Sequence, residues 1–544
     1  MRLILKQGTI PLILLVLLLF SPYHALMKDK LYADDASYLA HGFTLGLDYN
    51  LQYKDSVAEW KTQNQQAAAH PIGPGLFASP FIAAFSLLDK ISNHPVIKNH
   101  THFQYSWSFF GFAFSSVVFF VLGLYCYIKG LEDLSFKLSR KHFLFVASSF
   151  GILFYVLFRP VMGHSFEFFT IALCFWSTIK MFLTISAHEK LPYRYAFICA
   201  LSIILTMQIR PANINVILLP VVMFGFLYVT QKKEMTASDL KNCLLTSMFG
   251  AVSVLICYLP FLYINEQLYG MLYPSSSAMY GPTTNPVPEI TSFSDFINTL
   301  LVLLSRMPHI LTICFSSEFG LAFSSAILFF GTVFLYYYLF ANLKQKSVLA
   351  LSTLIFLSLY IALPVVITLF WQSLGDAYGY RFLYCLFPLA ILGYGFWHQQ
   401  LKSYLAKVLQ VTILLLCGYG LLGNMLFGLN NDLLYKSDVA NSFGREGGGA
   451  VGYNFAVLES AAKPSTWVNL TATRTPGFFM MGILQMLSIN PQALDLPQAL
   501  AERRDKFFSQ HTQPPVQTYL QALIICLFFV GSYIMLIKND PLRK

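Results

Sequence analysis

The chain has 544 residues, of which 56% are hydrophobic, 16% aromatic and only 11% charged. A soluble domain carries roughly 25% charged residues, so this composition, with a mean hydropathy of +0.57, excludes an ordinary soluble enzyme and indicates an all-α polytopic membrane protein. The net charge of +10 implies no nucleic-acid partner, because Lys and Arg fall in short clusters between apolar runs, where orientation in a membrane accounts for them.

The first segment, MRLILKQGTIPLILLVLLLFSPYHA, has the basic start and apolar middle of a signal peptide. A small residue is missing three before Ala25, so the segment reads as an uncleaved signal anchor. Apolar runs, measured against a span of about 20 residues, predict about 12 transmembrane helices. Their centres lie near residues 18, 117, 150, 174, 202, 221, 253, 330, 359, 389, 418 and 528. The run at 296–311 is interrupted by Arg306 and Pro308 and reads as a re-entrant or interfacial helix. All nine cysteines sit in or beside apolar runs without CxxC spacing, so neither a disulfide framework nor a zinc site is expected.

A cytoplasmic N-terminus places every short basic loop inside, from Lys129, Lys137, Arg140 and Lys141 to Lys402, Lys407 and the tail PLRK. Both termini are then cytoplasmic, with long first (28–105) and last (429–517) outer loops. The expected organisation is a transmembrane catalytic region at 1–428, the last outer loop at 429–517, and a final helix with its tail at 518–544. That last loop, with GREGGGAVGY and AERRDK, offers too little core for an independent domain. Chemistry must then use loops and helix ends.

The stretch YADDASYLAHG places Asp34 and Asp35 just beyond the first span. Either can cap a helix, but two neighbouring carboxylates repel unless a cation or proton relieves them. The same loop carries AAAHPIGPGLFASPF, where Pro71, Gly73, Pro74 and Gly75 suggest a rigid turn that would hold His70 near the aspartates and let a lipid head group approach the glycine backbone. In RPVMGHSFEFF, His164 and Glu167 stand three residues apart on the first turn of a helix, next to Arg159. Ionisable groups that near hydrocarbon are functional by default. Divalent-cation binding is conceivable there, with Asp35 and Glu167 as the candidate ligands, although no third ligand is fixed by the spacing.

Arg159, Arg210 in QIRPANI and Arg381 in GDAYGYRFLYCLFPL lie at the outer ends of spans, against the positive-inside tendency. Arg381 opens a helix whose dipole disfavours a cation, so an anion should compensate: Asp376, or a phosphate matched by the guanidinium fork. The region YGMLYPSSSAMYGPTTNP, which contains Tyr273, and Glu318 in FSSEFGLAFSS supply hydroxyls, aromatic faces and an acid suited either to an interfacial belt or to a sugar-binding lip.

Taken in order, the acidic pair, HPIGPGLFASPF, RPVMGHSFEFF, the IRP helix end, SSEFGLAFSS and GDAYGYRFLYCLFPL resemble bacterial integral-membrane glycosyltransferases of the GT-C fold. That class includes the protein O-mannosyltransferases, the aminoarabinose transferases and the oligosaccharyltransferases. The resemblance covers most of residues 1–400. It implies a location in the bacterial cytoplasmic (inner) membrane and a polyprenyl-phosphate-linked sugar donor. The acceptor would be a glycan, lipid or protein on the outer face, with inversion at the anomeric centre. It further implies an aspartate base, Asp34 or Asp35, with His164 and Glu167 as helpers and Arg210 and Arg381 as a phosphate clamp. The D-D pair departs from an acid, spacer, acid pattern, which leaves metal dependence open. Two rival readings are an O-antigen polymerase or ligase, which would use Arg445 and Arg474 of the last loop, and a twelve-span transporter, which would place charges near the bilayer midplane.

Overall fold

The computed structural model describes residues 33–53, 70–92, 106–157, 159–187, 191–230, 236–272, 292–315, 320–343, 347–370, 380–401, 403–429, 462–464, 516–538 and 540. These residues form helices and no strand. Eight helices among them are long and apolar enough to cross a membrane, or nine if one bent pair counts as a single span.

The chain enters through α1 (Ala33–Phe43) and, after a π-helical turn, continues in α2 (Gly73–Ile91) and α3 (Trp107–Asp133). The start of α3 is fixed by polar groups from both sides. Ser106 accepts from Phe109 N at 3.0 Å. The fully buried Asp89 accepts from Trp107 N at 2.7 Å, Ser108 N at 2.8 Å and the Ser108 hydroxyl at 2.6 Å. A carboxylate there meets both the exposed amides and the positive end of the helix dipole.

The helix expected near residue 150 is two short ones, α4 (Arg140–Ala147) and α5 (Ile152–Leu157). Then follow α6 (His164–Ser186), α7 (Tyr193–Ile209), a 3-10 lead-in at Pro211–Leu218 and α8 (Leu219–Thr230), and α9 (Ala237–Tyr269). The segment expected to be interfacial is α10 (Phe293–Arg306) and α11 (His309–Phe315), bent by 48°. Pro308, which lacks an amide donor, sits at that break. The remaining elements are a four-residue helix at Leu321–Ser324, α12 (Ala326–Ala341), α13 (Ser347–Phe370), a 3-10 turn at Arg381–Leu386, α14 (Phe387–Gln399), α15 (Tyr404–Leu429) and α16 (Val516–Lys538). Three expected spans, near 202, 330 and 389, are helices of 17, 16 and 13 residues, shorter than a straight crossing requires. The expected first span near residue 18 and the long last loop lie outside the described residues, apart from 429, 462–464 and 516–517 of that loop.

Contacts set the relative heights of the helices. Ser116 pairs with Ser165, Phe120 with Phe168, Tyr127 with Phe175 and Asp133 with Lys180, so α3 and α6 run parallel and in step. Thr170 meets Thr206 while Trp176 meets Tyr195, so α7 returns antiparallel. Lys180 stands 16 residues beyond His164 on α6, which at 1.5 Å per residue separates the two residues by about 24 Å.

The α2 helix is the main departure from the expected loop, because it passes the length and hydropathy test for a span. Its packing partners restrict where it lies. Phe77 meets Phe119, Phe85 meets Trp107 and Phe110, and Asp89 binds the first amides of α3. It therefore lies antiparallel along the first half of α3, while the second half packs on α6 through Gly130, Phe175 and Ile179. The helix stays on the side of the bundle away from Asp133.

At that opposite end, Arg140 Nε donates to Glu132 Oε1 at 2.6 Å and its Nη1 to Leu536 O at 2.9 Å, and its amide donates to Asp540 Oδ2 at 3.0 Å. These bonds dock the C-terminal end of α16 onto the α3–α4 connection.

Candidate functional site

The site begins with three close backbone approaches. A Cβ on Gly73 would lie 2.5 Å from Gln208 O at the end of α7, and one on Gly75 would lie 2.6 Å from Gly42 N of α1. A Cβ on Gly163 would lie 2.8 Å from Pro74 Cγ and 3.1 Å from Ile209. PIGPG is thus the first turn of α2 rather than a free turn, with Pro74 near the helix start, where its missing amide is no loss. Its glycines admit neighbouring helices. On their Cβ side Gly73 faces α7 and Gly75 faces α1.

A buried knot holds these parts. His41 is fully buried, and its Nε2–H donates to the carbonyl of His70 at 2.6 Å, since a carbonyl can only accept. The hydroxyl of Tyr53 then donates to His41 Nδ1 at 2.5 Å. Tyr269, at the end of α9, donates its hydroxyl to the same His70 carbonyl at 2.9 Å. Burial lowers the His41 pKa to about 4 and raises that of Tyr53. The His70 ring is buried and stands edge-on to Tyr38, one turn along α1 from Asp35, at 5.3 Å.

Charged side chains converge beside this knot. Asp34 and Asp35 both lie in the first turn of α1, not ahead of the helix, and the side chain of Asp34 is outside the described residues. Asp35 is buried and its Oδ2 accepts from Arg159 Nη2 at 2.7 Å. A tight turn, closed by Met162 N to Arg159 O at 3.0 Å, leads from Arg159 to His164. His164 Nδ1 donates to Glu167 Oε2 at 3.0 Å. Asn213 Nδ2 donates to Glu167 Oε1 at 2.8 Å, and Arg210 Nη1 lies 3.5 Å from Glu167 Oε2. Arg210 is also 3.3 Å from His164 Nδ1, but two N–H groups do not bond one another, so the carboxylate is the partner of both. The ring of Tyr155 lies 4.1 Å from that of His164.

Arg210 and Arg381 share one aromatic platform. The guanidinium carbons stand 4.7 and 5.6 Å from the centre of the Phe382 ring. The 3-10 turn Arg381–Leu386 leading into α14 supplies Arg381 and Phe382 together. Asp35, Arg159, His164, Glu167, Arg210 and Arg381 therefore come from four helix ends at the level of the bundle remote from Lys180 and Arg140.

The sequence did not single out Asn213, Tyr155 or Phe382. Asn213 lies three residues beyond Arg210 in RPANI, and a polar amide between a helix break and an apolar run was the available signal. Tyr273, Glu318, Asp376, Arg445 and Arg474 fall outside the described residues. Among the described residues, no group of three His, Cys, Asp or Glu is placed to hold a metal ion. Asp35 and Glu167, the two candidate cation ligands, each face an arginine. The arrangement can orient carboxylates and present guanidinium charge to an anion. No family model, characterised protein or solved structure in the comparisons matches this chain.

Proposed function

We propose that this membrane protein is a GT-C-type glycosyltransferase that moves a sugar from a polyprenyl-phosphate carrier to an envelope acceptor at the outer face of the cytoplasmic membrane. The observation that carries this reading is the gathering of buried carboxylates and arginines at one level, about 24 Å along α6 from Lys180. Hydrocarbon is about 30 Å thick, so charges at that height sit near the interface opposite the basic ends. The positive-inside tendency makes the basic ends cytoplasmic and the candidate site outward.

Asp35 takes the role of base. Its carboxylate, oriented by Arg159, accepts the proton of an acceptor hydroxyl as that oxygen attacks the anomeric carbon. The bond from the anomeric carbon to the phosphate oxygen breaks on the opposite face, which inverts the centre, and the electron pair leaves with the phosphate. Arg210 and Arg381 neutralise the charge developing there. Glu167 acts through Arg210: with His164 and Asn213 it fixes the guanidinium in place.

Comparison of envelope lipids and glycans from cells with and without the gene tests the proposal. Loss of one sugar decoration, restored by the wild-type chain and not by Asp35→Asn, is the expected result. Unchanged glycans with altered uptake of a solute would favour transport instead.

A further inference from the structure

An apolar cavity of about 660 Å³ opens between α6, α7, α8, α9 and α13, away from the charged site. Its walls include Met181 and Ile185 late in α6, Cys199 in the first half of α7, and Cys243 and Gly250 in the first half of α9. These positions lie at the helix ends near Lys180. The lining is mostly apolar, with hydroxyls at Tyr228, Ser247, Ser352 and Thr353 and, among them, at Thr246. That residue is only 5% exposed, and its hydroxyl has no hydrogen-bond partner among the described residues. A buried hydroxyl left without an acceptor loses its hydrogen bonds to water and gains none in return. An occupant with an acceptor at that depth would relieve it.

We infer that this cavity seats one acyl chain of an anionic glycerophospholipid from the leaflet at the basic helix ends, with an ester carbonyl accepting from Thr246. Three observations select that occupant. The walls belong to helices of spanning length, or to the shorter apolar α7, so the neighbouring solvent is hydrocarbon. A polyprenyl chain offers no acceptor to Thr246, whereas the glycerol esters of a phospholipid lie just below its headgroup. Arg194, at the start of α7, and Lys241, five residues before Thr246, are exposed and make no ion pair among the described residues. The one acid in the first turn of α9, Asp239, is turned back to the Thr236 amide at 3.0 Å in a capping box. Basic rims of apolar grooves between spanning helices are where anionic headgroups settle.

Gly250 makes the inference testable. It lines the cavity, and a Cβ there meets nothing within 4 Å, so Gly250→Phe fills the space without a backbone clash. Gly531 on α16 is equally open and lies outside the cavity, so Gly531→Phe is the matched control. Detergent-purified full-length protein is delipidated and offered diester phosphatidylglycerol, its diether analogue and polyprenyl phosphate, and the retained lipid is read by native mass spectrometry. The expected result is several-fold greater retention of the diester lipid over the diether. Gly250→Phe should lose it, Gly531→Phe should keep it, and Thr246→Val should erase the ester preference while eluting as a folded monodisperse species. Equal retention of diester and diether lipid by the wild type, or polyprenyl phosphate retained in their place, would overturn the inference.

Discussion

Arg159 Nη2 donates to Asp35 Oδ2 at 2.7 Å, joining residues 124 apart in sequence. The pair ties α1 to the turn that launches α6, and both side chains are about nine-tenths buried. Removing one member of a buried pair leaves an uncompensated charge at a cost of about 3–5 kcal/mol. Arg159→Met should therefore lower the unfolding temperature in detergent clearly, and the double variant Asp35→Asn with Arg159→Gln should recover much of the loss. Transfer activity should not return with stability in the double variant, because the proton acceptor is gone. Recovery of both together would make Asp35 a structural counterion.

Asp89 gives a second stability test. It accepts three hydrogen bonds at the start of α3 while fully buried. Asp89→Ala should cost about 2 kcal/mol, the upper range for loss of a cap. Thermal unfolding should show the shift, and Asp89→Asn, which keeps one acceptor oxygen, should fall between the two.

The His41 knot predicts acid sensitivity. An unfolded histidine titrates at 6.5, whereas burial holds His41 neutral down to about 4. Between those values the unfolded chain binds more protons, so stability is complete above pH 6.5 and declines as the pH falls towards 4. The interval corresponds to about 3 kcal/mol. Denaturant midpoints measured across that range should fall in the wild type, and the slope should flatten in His41→Gln.

Gly75 tests the close approach of α2 to α1. An alanine there would bring its Cβ to 2.6 Å from Gly42 N, a backbone atom that cannot swing aside. Gly75→Ala should cost about 1–3 kcal/mol through overpacking. Gly531→Ala meets nothing inside its helix and should hold or slightly raise the unfolding temperature.

The longest spans were legible in the sequence because α3, α6, α9, α13, α15 and α16 each contain an apolar stretch of spanning length. The α2 helix was not, since Pro and Gly read locally as a turn, and only the approach of α1 and α7 explains why glycine is required at 73 and 75. His164 and Glu167 could be paired from their spacing of three on one helix face, and the structure joins them at 3.0 Å. Asp35 with Arg159, Asp89 with Trp107, and Arg210 with Arg381 over Phe382 join residues from separate helix ends or distant turns. No periodicity carries such information; it arises only when the bundle closes.

The most direct test of the central claim is a transfer assay on purified protein with a labelled polyprenyl-phosphate sugar and an envelope acceptor extract. Wild-type protein should move the label. Asp35→Asn should reduce the rate by about 10²–10⁴-fold, the contribution expected of a general base, and retain its folded elution profile. Full transfer by a variant carrying both Asp34→Asn and Asp35→Asn would contradict an aspartate-based glycosyltransferase.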